Sequence, residues 1–319
     1  MAGGTSLFLV TVAITTASLN TLGAAVNERP IVGVLLQETS NPSLHGDTYV
    51  PTPYIKYLES AGARVVPVRV KKPYSYYKRL FSQINGVLFP GGGDDLIRSE
   101  MAKTAKIIYK LAIKANDAGD YFPIWGTCQG FELLTVLTSG ENILTNYDAE
   151  NISLPLVFSP GYNESRLLRN LPSDVYTSLT TENVTLNAHQ WGLSPKNYSE
   201  NQKLSKFYQI LSTNKDRKDK EFISTIEAYS YPIYGTQWHP EKNLFIWNPK
   251  LVVNHGKSAV RVAQYFADFL VSEARKSQHK FFNKKCEAHS VMENYQPEYQ
   301  ADGSYNGNYY FNYTDSGCI

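Results

Sequence analysis

The chain has 319 residues, 42% of them hydrophobic, which is enough to bury one sizeable core. Its 31 Lys and Arg residues against 29 Asp and Glu residues give a formal net charge of +2. So balanced a charge creates no field that would gather phosphates or an anionic membrane surface, which argues against nucleic acid and membrane as partners. We expect one large domain over residues 26–280 and a tail over residues 281–319.

The first 25 residues have the pattern of a cleaved signal peptide. Residues 6–17 are apolar or small, no charged side chain precedes Glu28, and small residues at 23–25 suit a signal peptidase. Since this segment lacks Lys and Arg, a disordered N-terminus is the alternative. Sequons for N-glycosylation fit passage through the secretory pathway, and they occur at Asn151, Asn163, Asn183, Asn197 and Asn312.

Strand-like and helix-like segments alternate over the first 126 residues. Buried strands are predicted at 30–36, 64–70, 86–90 and 122–126, and helices at 54–61, 74–84 and 99–118. This alternation predicts an α/β fold, with a doubly wound, mainly parallel sheet flanked by helices. Later strand candidates at 184–188, 207–211, 222–228 and 233–237 predict added antiparallel strands, and a helix over 258–274 closes the domain.

The tail beyond residue 294 is rich in tyrosine among Asn, Gly and Asp, without a helical or strand period. Aromatic residues in a tail usually pack against something, so we expect either an ordered wrap on the domain or an intersubunit contact.

The most informative segment is residues 122–134, where an apolar strand ends at Gly126, Cys128 follows in a tight turn and a helix begins. This is the pattern of a nucleophile elbow with cysteine at its tip. Small neighbours at Gly126 and Gly130 permit the turn, and a helix N-terminus beside the sulfur is expected to lower the thiol pKa. The backbone N–H of Gln129 would face a developing oxyanion.

A partner for this thiol follows the last predicted strand. His239 and Glu241 lie just past the end of that strand, in Gln-Trp-His-Pro-Glu. The carboxyl ends of parallel strands meet at one edge of a sheet, so imidazole and thiol can meet there, with Glu241 orienting the imidazole.

Three glycines follow the strand at 86–90, in Pro-Gly-Gly-Gly-Asp-Asp. Because glycine lets a backbone N–H approach a carbonyl closely, Gly91 and Gly92 are candidate second oxyanion donors. The loop is not a P-loop, since no Gly-Lys-Ser or Gly-Lys-Thr follows. The spacing of the histidines predicts no metal site, and nothing in the chain calls for a cofactor.

Three cysteines make an odd count, so in an oxidising compartment at least one thiol stays free or pairs between chains. Cys286 and Cys318 could pair with each other, which would leave Cys128 free.

Together, the Gly-Thr-Cys-Gln-Gly elbow, the Gln-Trp-His-Pro-Glu segment and the Pro-Gly-Gly-Gly loop resemble the class I glutamine amidotransferase superfamily, whose fold is flavodoxin-like. Within it the chain most resembles the γ-glutamyl hydrolase family, on residues 49–67, Trp-Gly-Thr-Cys-Gln-Gly-Phe-Glu at 125–132 and Asn-Ala-His-Gln-Trp-Gly at 187–192. The resemblance spans roughly residues 29–274 and does not cover the tail as specifically.

The resemblance implies a cysteine peptidase that removes glutamates from folylpoly-γ-glutamates and antifolate polyglutamates, in lysosomes or after secretion. Cys128 would be the nucleophile, His239 the general acid and base, and a homodimer the expected assembly. Amidotransferases usually have His-Gln after the elbow glycine, whereas this chain has Phe131 and Glu132, which argues for a different acceptor and leaving group.

Further pocket residues are hypotheses from family position and side-chain chemistry. His189 and Gln190 would bind a carboxylate or assist proton transfer, although His189 is equally readable as a structural histidine. Lys56 suits a substrate carboxylate, Glu38 and Glu132 suit an amino group, and Tyr54 would line the pocket. A glutamine amidotransferase or amidase, and a non-catalytic binding relative of the same fold, are the two alternatives.

Overall fold

The computed structural model describes residue 1, residues 26–40, 42–299 and 307–315, and residue 318. Residues 2–25 of the expected signal peptide therefore lie outside the described residues. The described strands are β1 (Ile31–Leu35), β2 (Gln37–Glu38), β3 (Thr48–Pro51), β4 (Arg64–Val68), β5 (Gly86–Phe89), β6 (Ile124–Thr127), β7 (Thr145–Leu154), β8 (Val157–Phe158), β9 (Thr185–Gly192), β10 (Tyr208–Lys215), β11 (Glu221–Ala228), β12 (Ile233–Thr236), β13 (Glu298–Tyr299) and β14 (Gly307–Phe311).

The described α-helices are α1 (Pro42–His45), α2 (Thr52–Ser60), α3 (Tyr74–Phe81), α4 (Glu100–Asp117), α5 (Gln129–Ser139), α6 (Ser173–Thr181), α7 (Pro195–Glu200), α8 (Gln202–Phe207), α9 (Lys242–Phe245), α10 (Lys257–Ala274) and α11 (Lys284–Ser290). Short 3₁₀ helices span Tyr162–Glu164 and Met292–Asn294. Ser99 caps α4 by accepting a hydrogen bond from the backbone N–H of Ala102, which sets the start of this helix.

An eight-stranded sheet forms the centre, in the order β4-β1-β5-β6-β12-β11-β10-β8. The first five strands of this order are parallel neighbours, and β11, β10 and β8 add antiparallel strands at one side. Helices α2, α9 and α10 pack together, as do α3, α4 and α5, so both helix groups cover the apolar strands. The mainly parallel α/β fold with added antiparallel strands is confirmed.

Three predicted motifs follow three neighbouring strands of this sheet. The glycine loop follows β5, Cys128 follows β6 and His239 lies just past β12. Strands β6 and β12 are paired in parallel with Thr127 opposite Thr236, so the turns that carry Cys128 and His239 begin side by side. The topology therefore brings these motifs to one sheet edge, where ligands of open α/β sheets bind.

The tail contributes strands, a feature that its sequence does not display. Strand β14 pairs antiparallel with β3, and β13 pairs with β14, giving a four-stranded sheet in the order β13-β14-β3-β2. Phe311 of β14 is buried against the core. Pairing to a distant strand, rather than local periodicity, therefore orders this part of the tail.

No helix within the described part of the chain is long and apolar enough to cross a membrane. Cys128, Cys286 and Cys318 are all free thiols, although the Sγ of Cys286 lies 2.8 Å from the carbonyl oxygen of Cys318.

Candidate active site

Cys128 occupies a strained turn between β6 and α5. Its backbone has φ 52° and ψ −109°, in the left-handed half of conformational space that side chains other than glycine rarely adopt. The turn is held by a hydrogen bond from the Cys128 N–H to the carbonyl oxygen of Thr236, and by one from the Glu132 N–H to the carbonyl oxygen of Cys128. Strain of this kind collects at functional sites, where surrounding structure enforces it.

The two glycines beside the elbow are required by close packing. A Cβ on Gly130 would lie 2.0 Å from the backbone oxygen of Phe89, and a Cβ on Gly126 would lie 2.5 Å from that of Gly130. Neither glycine has a positive φ, so close approach of β5, β6 and α5, and not turn geometry, excludes a side chain at these positions.

His239 and Glu241 form a buried pair next to the elbow. The Nδ1 of His239 lies 2.7 Å from Oε1 of Glu241, and both side chains are almost wholly enclosed. A Cβ on Gly91 would meet Cε1 of His239 at 2.8 Å and Cβ of Cys128 at 3.0 Å. The imidazole of His239 and the side chain of Cys128 therefore converge on the same glycine, with Glu241 bonded to Nδ1 of the ring.

The surroundings of Cys128 favour the neutral thiol. Burial raises the pKa of Cys128, and the nearby carboxyl of Glu132 raises it further, while Lys242 acts in the opposite direction. The backbone N–H of Gln129 at the start of α5 lowers this pKa, as predicted, but burial outweighs it and the net shift is upward. Burial and then Lys242 lower the pKa of His239, against the influence of Glu241, so the resting pair is a thiol and a neutral imidazole.

A cavity of about 680 Å³ opens in front of Cys128. Its wall includes six residues predicted from the sequence, namely Gly92, Cys128, Gln129, Glu132, His189 and Gln190. It also includes residues that the sequence interpretation missed, among them Asp94, Asn142, Glu150 and Trp191. The double aspartate directly after the glycines was a visible signal for Asp94, whereas Asn142, Glu150 and Trp191 reach the cavity only through the tertiary fold.

His189 is buried in the wall of the cavity. Its Nδ1 lies 2.8 Å from the carbonyl oxygen of Trp191, and its Nε2 lies 3.2 Å from Oδ1 of Asn187. Burial lowers the pKa of His189 to about 3, so the ring is neutral at physiological pH.

Three predicted pocket residues lie elsewhere, since Glu38, Tyr54 and Lys56 are not among the described residues that line the cavity. Lys56 is exposed on α2. The carboxyl of Glu38 accepts a hydrogen bond from the Glu100 N–H at the start of α4, 2.6 Å away, and another from the hydroxyl of Tyr313. The Glu38 carboxyl is therefore engaged with α4 and the tail, and the Lys56 side chain is exposed.

Tyr54 lies fully buried next to the His239–Glu241 pair. Its hydroxyl accepts a hydrogen bond from the Gly91 N–H at 2.8 Å and lies 3.4 Å from Nδ1 of His239. The Gly91 N–H is thus already engaged in a hydrogen bond within the fold. Among the predicted oxyanion donors, Gly92 and Gln129 line the cavity.

Lys242 was missed at the sequence level although it directly follows Glu241. Its side chain is buried, and burial lowers its pKa against the influence of Glu241, Cys128 and Glu150. The positive charge of Lys242 lowers the pKa of the neighbouring Cys128 thiol. Within the described residues, no cluster of three or more His, Cys, Asp or Glu side chains could hold a metal ion.

Comparison with known proteins finds matches over most of the chain. The family model of peptidase C26 matches residues 30–241. The human protein named gamma-glutamyl hydrolase is 48% identical over 274 residues, covering 85% of this chain and 86% of the human one. The Dictyostelium discoideum protein named gamma-glutamyl hydrolase B is 40% identical over 278 residues, covering 86% and 80%.

A solved structure shares the fold at much lower identity. The glutaminase domain of Trypanosoma brucei CTPS matches with a TM-score of 0.50 and 12% identity, over 80% of this chain and 96% of that domain. At this identity the likeness shows the fold alone, and it agrees with the amidotransferase-like fold predicted from the motifs. The extent of the sequence matches decides the family: the chain belongs to the peptidase C26 family.

Proposed function

We propose that this chain is a cysteine-type γ-glutamyl hydrolase that cleaves the γ-glutamyl bonds of folylpoly-γ-glutamates and antifolate polyglutamates. One observation carries the proposal: Cys128 faces the cavity from a strained elbow, and the His239–Glu241 pair converges on it. The relatives named gamma-glutamyl hydrolase, which align over most of the chain, supply the substrate class.

The resting charges determine the order of proton transfers. Because both the thiol and the imidazole are neutral, His239 takes the Cys128 proton as the sulfur attacks the γ-carbonyl carbon. The imidazolium that forms is stabilised by the carboxylate of Glu241. Lys242 lowers the energy of the negative sulfur, which makes attack easier in spite of burial.

The tetrahedral intermediate places negative charge on the former carbonyl oxygen. We assign its stabilisation to the backbone N–H groups of Gln129 and Gly92, because the N–H of Gly91 already donates to Tyr54. His239 then gives its proton to the departing amine, leaving a γ-glutamyl thioester on Cys128. Water attacks the thioester with His239 again as base, and releases the glutamyl product.

The test is hydrolysis of a folate that carries a tri-γ-glutamate tail, at mildly acidic pH. The native chain should release glutamate-containing products, Cys128→Ala should release none, and Cys286→Ala, which removes another buried thiol, should match the native chain. Equal release by the Cys128→Ala variant would remove Cys128 from the mechanism. Ammonia release from free glutamine in place of cleavage would favour the amidase alternative.

We also propose the secretory route, with lysosomal or extracellular delivery after removal of a signal peptide at residues 1–25, and a homodimeric assembly.

The five sequons differ in how accessible their asparagine side chains are for glycosylation. Asn163, Asn183 and Asn312 are exposed, whereas the side-chain amides of Asn151 and Asn197 donate to the carbonyl oxygens of Lys250 and Ile143. Glycopeptide mapping and sedimentation of the secreted protein test these points.

A further inference from the structure

Apart from Cys128 and His189, the ionisable side chains on the cavity wall are all carboxylic acids. They are Asp94, Asp95, Glu132 and Glu150, and neither Lys nor Arg lines the cavity in the described part of the chain. The proposed substrate is itself a polyanion, with an α-carboxylate on every glutamate. Like charges at short range in a partly enclosed site disfavour binding, so the charge state of this wall decides whether the substrate enters.

Asp94 stands where the glycine loop enters the cavity. Its Oδ2 accepts a hydrogen bond from the Glu38 N–H at 3.1 Å, and its backbone oxygen accepts one from the side-chain amide of Gln129 beside Cys128. The carboxyl is half-buried, and burial together with the charge of Glu38 raises its pKa to about 6. Asp94 is therefore neutral at lysosome-like acidity and ionised at neutral pH.

Ionisable groups from several elements surround Asp94. Glu38 of β2 donates its backbone N–H to Asp94, and Tyr49 of β3 interacts electrostatically with it. Neither residue lines the cavity, and burial raises the pKa of Tyr49 to about 12. Across the cavity stand Glu150 and two groups that burial holds neutral, since it raises the pKa of Glu132 to about 8 and lowers that of His189 to about 3.

The neighbouring Asp95 differs from Asp94 in its surroundings. It is exposed, and its carboxylate accepts hydrogen bonds from the backbone N–H groups of Ile97 and Arg98, which hold its pKa below the usual value. Asp95 therefore stays ionised over the whole range in which Asp94 gains its proton. The two adjacent residues carry the same charge but respond differently to pH, which makes Asp95 a matched control.

We propose that Asp94 is a specificity-determining residue of the active site, whose carboxylate repels the α-carboxylates of a poly-γ-glutamate chain and whose protonated form admits them. This inference rests on the proposed function. Binding of the polyanion favours the protonated carboxyl, so substrate affinity falls as the pH rises through about 6.

The experiment compares the native chain, Asp94→Asn and Asp95→Asn, each with KM and kcat for the tri-γ-glutamate folate at pH 5.0 and pH 7.5. Asparagine keeps an oxygen that accepts from the Glu38 N–H, so the loop is retained. Removing the charge should lower KM at pH 7.5 by about three- to tenfold, the size expected for one charge several ångströms away in a partly solvated site. At pH 5.0 the KM of Asp94→Asn should approach the native value.

The control and a second substrate separate this effect from a structural one. Asp95→Asn should shift KM by the same factor at both pH values. A substrate whose α-carboxylates are converted to amides should have the same KM with native and Asp94→Asn protein at pH 7.5, and circular dichroism checks that both variants are folded.

Failure of this inference and failure of the proposed function give different results. If the native chain hydrolyses the polyglutamate and Asp94→Asn has the native KM at pH 7.5, the role of Asp94 is overturned while the proposed function stands. If the native chain hydrolyses no polyglutamate at either pH, and Cys128→Ala binds none by calorimetry, the proposed function fails and the inference falls with it.

Discussion

The protonation states of single residues in the site depend on their burial as much as on their chemical type. Cys128, His239 and Glu241 lie in a volume from which water is nearly excluded, so both the thiol and the imidazole favour their neutral forms. In the proposed mechanism, the carboxylate of Glu241, 2.7 Å from Nδ1 of His239, stabilises the imidazolium that forms during attack.

Glu241→Gln should therefore lower kcat by about 10²- to 10⁴-fold with a smaller change in KM, since the amide cannot stabilise the imidazolium. Steady-state kinetics on the polyglutamate substrate measure both constants. The double variant with His239→Ala should be no slower than His239→Ala alone, because the two residues act as a unit. Additive losses would show that Glu241 acts independently of His239.

The raised pKa of Glu132 makes the free energy of unfolding of the whole chain depend on pH. Its carboxyl accepts a hydrogen bond from the Gln237 side chain at 3.0 Å, yet burial raises its pKa from 4.5 to about 8. Between these values the folded chain holds a proton that the unfolded chain has released. This group therefore reduces the free energy of unfolding by about 1.4 kcal/mol for each pH unit of increase from 4.5 to 8.

Glu132→Gln should remove that slope. Urea denaturation from pH 5 to 8 should show a variant that is progressively more stable than the native chain as the pH rises, with little difference at pH 5. Parallel pH profiles for the two proteins would mean that Glu132 has an ordinary pKa in the folded state.

At the scale of secondary-structure elements, the elbow depends on how closely α5 approaches β5. The space for Gly130 is limited by the backbone oxygen of Phe89, which has no flexible end to move aside. Gly93, three residues into the glycine loop, has no atom within 4 Å of an added Cβ.

Gly130→Ala should lower the free energy of unfolding by about 3 kcal/mol, the upper end for overpacking, because a strand or a helix must shift. Gly93→Ala should leave it within about 0.5 kcal/mol of the native value. Urea midpoints measured side by side test the pair, and equal stabilities would show that the helix and strand separate without cost.

At the scale of the whole molecule, the C-terminal tail is bonded to the domain beside the candidate active site. Strand β14 pairs with β3, and Arg69 and Lys72 bind Asp315 and the carbonyl oxygen of Tyr313. Tyr313 also donates to Glu38, whose backbone N–H holds Asp94. The C-terminal segment is thereby connected through two contacts to the cavity wall.

Phe311→Ala should accordingly destabilise the chain by about 3–5 kcal/mol, the usual cost of removing a buried phenylalanine. Tyr299→Ala, at an exposed position of the same sheet, should change stability by less than about 0.5 kcal/mol. Thermal unfolding and limited proteolysis near residue 300 measure both. A Phe311→Ala variant as stable as the native chain would mean that β14 is not part of the cooperative fold.

The sequence by itself determined the alternation of strands and helices, the family and the three motifs at the sheet edge. These features follow from local pattern: apolar runs ended by glycine for β5 and β6, and a heptad-like apolar face for α4. Such patterns are readable because each residue type favours one local conformation.

Only the tertiary structure decided which side chains face the cavity and which charges they carry. Tyr54 lies next to His239, Lys56 is exposed to solvent, and Asp94 and Glu150 line the cavity. Strand pairing and helix packing set the directions of these side chains. The neutral thiol and the raised pKa of Glu132 come from burial, and the strand at Phe311 comes from pairing with residues more than 250 positions away. Burial and long-range pairing are properties of the folded chain, and no local pattern encodes them.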